Sequence, residues 1–213
     1  MSKNIEKLEQ LIMEDRYVYD PPNVHHELAG GGHGRKLALK EIDESSDLYR
    51  LMINTEVEFI DDNYNPLPDV VMGMANSANR IACDVAAEFD NVVALKTQKD
   101  ELNRVIPTYA ASVALKKLKP SFILIIEDVG TTGKTVAKFA DILETEFKIP
   151  KLEVLFTWQR QAELPLLDKR NIPHSAVIKH PLRTYKDKAD CMSDPEGFCA
   201  QGVELIYRKN NSR

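Results

Sequence analysis

The chain has 213 residues, enough for one domain or for one core with a small extra lobe. Its 43% hydrophobic content supports a real core, and its 29% charged content makes the surface soluble. A net charge of -5 leaves no basic footprint for nucleic acid, and no apolar run approaches the ~20 residues needed to span a bilayer, so neither is expected as a partner.

In chain order, Ile5, Leu8, Leu11 and Ile12 predict an amphipathic helix over residues 2–16. The start of the chain mixes charges at helical spacing and lacks a signal-peptide apolar core. Asp20-Pro21-Pro22-Asn23 breaks the helix, and the glycine-rich 29–34 reads as the most flexible stretch. A second helix is expected over 45–54 or beyond. The core begins at Pro68, with a strand at 70–73, a turn at 75–78, a helix to about Phe89 and a strand at 92–95. Residues 96–105 are polar and charged and predict a long loop. A helix at 110–118, a central strand at 122–126 and a helix at 135–147 come next. A strand at 153–157, a helix near 163–169 and a strand near 176–178 complete the series. Strands alternating with helices predict an α/β fold, a parallel sheet flanked by helices, with ligands beyond the carboxyl ends of the strands.

Three cysteines, Cys83, Cys191 and Cys199, give an odd count without a disulfide framework, so reduced thiols in a cytoplasmic protein are expected. Seven residues separate Cys191 from Cys199, and no matching pair lies nearby in sequence. They read as structural thiols rather than metal ligands. His25, His26 and His33 likewise lack a Cys or carboxylate framework for a metal.

The most informative stretch runs from Phe122 to Thr135. Five apolar residues without alternation predict a strand buried on both faces. Two acids follow, Glu127 and Asp128, then a loop of small residues and a helix. Free N–H groups at a helix start and the helix dipole favour an anion, and the Thr hydroxyls add donors. The loop is therefore expected to hold a phosphate, and the acids hydroxyl groups, a hydrated Mg2+, or both. Gly133-Lys134-Thr135 looks like the end of a nucleotide-binding P-loop. That motif needs a glycine where Asp128 stands, and a carboxylate there would repel a triphosphate. Acids first and small residues second suit a diol joined to a monophosphate, as in a ribose 5-phosphate.

Residues 126–135 resemble the PRPP loop of the type I phosphoribosyltransferases, and the Glu-Asp and Thr-Thr-Gly order is most similar to the orotate phosphoribosyltransferase branch. The resemblance covers roughly residues 25–180. It implies that Glu127 and Asp128 take the ribose 2- and 3-hydroxyls and share a Mg2+ shell. It implies also that the loop Val129, Gly130, Thr131, Thr132, Gly133 and Thr135 binds the rest of PRPP around its 5-phosphate, with Lys134 in a supporting electrostatic role. Lys96, Lys99 and Asp100 match the family's catalytic loop, but Leu95 stands in place of an Arg and Glu101 in place of a His. Ala75, Asn76, Ser77 and Arg80 occupy the pyrophosphate loop, where Ala78-Asn79 replaces the usual Gly-Gly pair. Ser77 also reads as a helix N-cap, and Arg80 as either a cation for the diphosphate or a solvated residue. Arg160, with Gln161, matches the base-holding position, and His33 is expected to donate to the base. Leu37-Ala38 stands where the orotate branch has aromatic residues. Trp158 would stack on a base or plug the sheet edge; for a lone Trp the core is expected.

The organisation implied is an N-terminal hood segment over 1–66, a phosphoribosyltransferase-like core over 67–180, and a C-terminal segment over 181–213 in the same domain. The implied reaction moves a phosphoribosyl group from PRPP to a nitrogenous base, orotate-like, with Mg2+ and release of pyrophosphate. The alternative is a non-catalytic PRPP- or nucleotide-binding regulator on the same fold. A homodimer is implied, with the 96–105 loop near the partner's site.

Overall fold

The computed structural model describes residues 3–28, 32–75 and 77–206. At its centre is a six-stranded sheet in the order β5-β4-β3-β6-β7-β8. These strands are β3 (Val70–Gly73), β4 (Val93–Lys99), β5 (Val105–Pro107), β6 (Phe122–Gly130), β7 (Lys151–Gln159) and β8 (His174–Lys179). All neighbours pair in parallel except β5, which runs antiparallel to β4. The central strand behaves as its composition requires: Phe122 to Ile126 are all buried, because helices cover both faces.

Helices α3 (Ala78–Ala87), α4 (Tyr109–Leu118), α5 (Lys134–Glu146) and the short α6 (Pro165–Asp168) connect the strands. At the N-terminal end, α1 (Lys3–Glu14) buries Ile5, Leu8 and Ile12 against α2 (Asp47–Asn63) and β8. Helix α2 starts where the Ser46 side chain accepts the Tyr49 N–H at 3.1 Å, a cap worth about 1 kcal/mol. It runs nine residues past the expected minimum, to Asn63, and carries Met52, Ile53, Glu56 and Ile60 into the core.

Sequence order along the sheet reverses between β3 and β6. Chain from β3 goes to one side, through α3 to β4; the later strands build on the other. Such a switch point opens a crevice beyond the strand ends. The loops after β3 and β6 border it. Gly73 ends β3 because α3 comes very close: a Cβ there would lie 2.1 Å from the Ala78 carbonyl oxygen.

One expectation needs correcting. Residues 96–105 are not a long loop. Strand β4 continues to Lys99, turns, and returns as β5. The polar residues are tolerated because this hairpin is the sheet edge, where one face stays in water. Thr97 anchors it: its hydroxyl donates to the Gly73 carbonyl at 2.7 Å. The Asn79 side chain accepts the Thr97 N–H at 2.9 Å and donates to its carbonyl at 2.8 Å. Asp100 shapes the turn, accepting from the Leu102 and Arg104 N–H groups and pairing with the Arg104 guanidinium at 2.7 Å.

The two ends of the chain build a second, small sheet in the order β10-β1-β2-β9. It joins β1 (Val24–Glu27) and β2 (His33–Gly34) to β9 (Thr184–Tyr185) and β10 (Glu204–Ile206). Helix α7 (Lys188–Ser193) lies between the last two, capped by the Asp187 side chain on the Asp190 N–H. Residues 29–31, part of the glycine-rich stretch, lie outside the described residues, but His33 and Gly34 belong to a strand rather than a loop. No described helix is long and apolar enough to cross a membrane.

Candidate active site

Strand β6 does not stop at Ile126. It runs through both acids to Gly130, pairing Glu127 with Phe156 and Gly130 with Gln159 of β7. Adjacent strand residues alternate between faces, yet at this strand end Asp128 stays close enough to Glu127 to act on its charge. Glu127 lines a small cleft with Val129, Thr131, Thr132, Gly133, Lys134 and Thr135. This cleft brings together most of the segment expected to bind PRPP. Asp128 accepts the Val129 N–H at 2.9 Å and lies close enough to Glu56 of α2 to act on its charge.

The loop geometry is tightly constrained. Gly133 has φ +68°, and a Cβ there would meet the Leu167 side chain at 2.8 Å. It is the N-cap of α5 and has no side chain to cap that end, but the Thr132 hydroxyl accepts the Lys134 N–H at 3.4 Å. The next N–H groups of this 13-residue helix belong to the cleft residues Thr135 and Val136, where the dipole favours an anion. Gly130 is equally fixed: a Cβ would lie 2.7 Å from the Phe156 ring. Its carbonyl accepts the Arg160 N–H at 3.0 Å, which ties the loop after β6 to the chain leaving β7.

The electrostatics are unusual for a resting structure. The Glu127 carboxyl is pushed up to about 8, first by burial and then by Asp128, while Lys99 acts in the opposite direction. Its Oε2 is buried without a hydrogen-bond partner. Glu56, fully buried beneath, is raised to about 7 by burial; the Thr157 hydroxyl it accepts from opposes this and Asp128 adds to it. Glu56 too has one orphan oxygen, Oε2. Three carboxyl groups thus gather at one strand end. Sequence reasoning missed Glu56, since an acid on an amphipathic helix reads as solvated; its place between buried Met52 and Ile60 was the available signal.

Lys99 lies near Glu127, and neither Lys96 nor Lys99 forms an ion pair among the described residues. Asp100 is occupied by the hairpin turn and Arg104. On the other side of the crevice Ala75 and Ser77 follow β3; Asn76 lies outside the described residues. Ser77 occupies the N-cap position of α3 but makes no side-chain cap bond. Arg80 is engaged elsewhere: it donates to Glu44 at 2.9 Å and to the Ile42 carbonyl at 3.3 Å, and lies 4.3 Å over the Tyr49 ring.

Arg160 is only 5% exposed. One of its terminal nitrogens donates to the Arg35 carbonyl at 3.1 Å, its Nε has no partner, and it forms no ion pair with a described residue. Burial lowers its pKa. Trp158 is wholly buried, its indole N–H on the His180 carbonyl at 3.0 Å, so it plugs the sheet and cannot stack on a ligand. Leu37 and Ala38 are buried core residues. His33 is buried with Nδ1 3.3 Å from the Cys199 sulfur, so the structure gives the residue expected at the base a quite different neighbourhood.

No family model and no curated protein matches the sequence. Solved structures do match. The orotate phosphoribosyltransferase of Aeropyrum pernix superimposes with a TM-score of 0.60 at 16% identity, covering 80% of this chain and 93% of its own. A phosphoribosyltransferase from Corynebacterium diphtheriae gives 0.60 at 14%, covering 83% and 96%. The adenine phosphoribosyltransferase of Saccharomyces cerevisiae gives 0.57 at 14%, covering 84% and 100%. From its sheet order, its acid-rich strand end and these superpositions, the chain has the α/β fold of the type I phosphoribosyltransferases.

Proposed function

We propose that this protein transfers a 5-phosphoribosyl group from PRPP to a nitrogenous base and releases pyrophosphate. The observation that carries the reading is the cleft at the end of β6. A buried carboxyl with an unpartnered oxygen faces a loop of hydroxyls and helix N–H groups, at the switch point of the sheet. A ribose 5-phosphate supplies both complements, hydroxyl donors for Glu127 and Asp128 and an anion for residues 131–135.

The donor set also fits Mg2+, a hard cation that prefers carboxylate oxygens and water; Glu127 and Asp128 would hold its hydration shell. When bound there, Mg2+ would supply positive charge for the diphosphate. The chain's own residues position and stabilise. The acids hold the ribose, while the loop fixes the 5-phosphate and so the sugar's orientation. As the bond from C1 to the diphosphate breaks, negative charge grows on the leaving oxygen, and Lys99, in no ion pair among the described residues, is the cation poised to meet it. The base nitrogen then bonds to C1, and its proton passes to solvent. No side-chain nucleophile is required. Arg160, buried, acted on by Asp20 but in no ion pair among the described residues, suits a base bearing a carboxylate or paired carbonyls, hence an orotate-like pyrimidine.

A second reading, a PRPP-binding regulator without turnover, draws on two observations. Asp100 is spent on the hairpin turn, and Arg80 on Glu44 and Tyr49. Incubation with PRPP, Mg2+ and a panel of bases, with pyrophosphate measured, separates the two. Release dependent on one base supports the enzyme; tight PRPP binding without release from any base supports the regulator.

A further inference from the structure

Two histidines and two cysteines, set aside one pair at a time in the sequence, meet in the small terminal sheet. His25 comes from β1, His33 from β2, Cys191 from α7 and Cys199 from the turn after it. Their ligand atoms all lie within 4.8 Å of one another. His25 Nε2 is 3.3 Å from Cys199 Sγ, and His33 Nδ1 is also 3.3 Å from it. His25 and Cys191 are wholly buried, and His33 nearly so.

We propose that His25, His33, Cys191 and Cys199 bind a zinc-class divalent cation as a tetrahedral structural centre, distinct from any Mg2+ at the β6 site. Zn–S bonds of about 2.3 Å and Zn–N bonds of about 2.0 Å at tetrahedral angles put S and N about 3.5 Å apart, and the two sulfurs about 3.8 Å. The two 3.3 Å separations match the first figure closely, and the 4.8 Å bound leaves small side-chain adjustments for the rest. Two thiolates and two imidazoles form the donor set that tetrahedral zinc takes in closed sites.

Plain hydrogen bonding is the competing account: Cys199 can donate its S–H to one ring nitrogen and accept an N–H from the other, whereas a metal engages all four ligand atoms at once. The backbone is also built for the purpose. Cys199 N–H donates to Cys191 Sγ at 3.2 Å, the kind of outer contact that supports a thiolate ligand. Gly197 lets the chain double back between the two cysteines, since a Cβ there would lie 1.8 Å from the Cys191 carbonyl oxygen. Phe198 then stacks on the His25 ring at 5.3 Å.

The location gives the metal a task. Strands of two to four residues make a sheet too small to persist by its own hydrogen bonds. A four-point clamp joins chain segments 174 residues apart, which removes a large share of loop freedom. Arg35, whose carbonyl receives Arg160, follows directly on β2, so the clamp also fixes the hood over the candidate base pocket.

The test is elemental analysis of the purified full-length protein after dialysis, expected to find one zinc per chain. Cobalt(II) exchanged into the protein should give the intense visible bands of a tetrahedral thiolate site. Cys191→Ser/Cys199→Ser should lose both signals, while Cys83→Ser keeps them. If the double variant is insoluble, the wild-type stoichiometry and cobalt spectrum decide. No bound metal after refolding with zinc, a disulfide between Cys191 and Cys199 by mass spectrometry, or octahedral cobalt bands would each overturn the proposal.

Discussion

Glu127→Gln separates stability from function more sharply than any other change. In the folded protein its carboxyl is raised from 4.5 to about 8. A raised carboxyl favours the folded state only while protonated. That contribution is complete below about pH 4.5, declines as the unfolded chain ionises, and is gone above about pH 8. At about 1.4 kcal/mol per pH unit the full interval amounts to about 5 kcal/mol, which rearrangement and water in the open cleft reduce to about 2–4 kcal/mol. Glutamine keeps the shape and removes the titration. At pH 8 the variant should be more stable than wild type by that margin, roughly 5–15 °C in Tm for a chain of this size. Near pH 4.5 the two should converge. The assay is thermal or urea unfolding from pH 4.5 to 8.5, paired with PRPP binding, which the variant should lose in large part. A wild-type minus variant difference that stays flat across this range, or a variant less stable at pH 8, would refute the reasoning.

Two further changes probe the reaction itself. Lys99→Ala should lower kcat by at least tenfold while changing PRPP affinity little, because its charge matters most as pyrophosphate departs; equal losses would make it a ground-state binder. Arg160→Ala should raise the KM of an orotate-like base by about 10- to 150-fold, the loss of a charged hydrogen bond of roughly 1.5–3 kcal/mol, with PRPP affinity nearly unchanged; efficient turnover of a purine with this variant silent would remove the pyrimidine assignment.

What could be read beforehand was what depends on neighbours in sequence. Five apolar residues before Glu127 announced a doubly covered strand, and Ile5, Leu8, Leu11 and Ile12 a helix face; the strand is buried throughout, and of the helix face Ile5, Leu8 and Ile12 are buried while Leu11 is half-buried. Boundaries fared worse where side chains obey function or edge position rather than burial. Strand β6 carries its acids to Gly130 because β7 pairs with Glu127, Val129 and Gly130, and nothing in the polarity of the acids reveals that. Lys96 to Lys99 look like loop but continue β4 into the hairpin whose second strand, β5, is the sheet edge; they are held by Asn79, a residue read only as a departure from a glycine pair. The terminal sheet was out of reach altogether, since its strands are too short for a period and their partners lie far along the chain. For the same reason His25 and His33 could not be joined to Cys191 and Cys199 until the fold brought them together.

The central claim is that the strand end at Glu127 and Asp128, with the 131–135 loop, is a ribose-phosphate site. Calorimetric titration of PRPP with Mg2+ into wild type and into Glu127→Gln/Asp128→Asn, each shown to be folded, tests it most directly. The account predicts saturable one-to-one binding to wild type and a loss of at least tenfold in the double variant; equal affinity in the two proteins would contradict it.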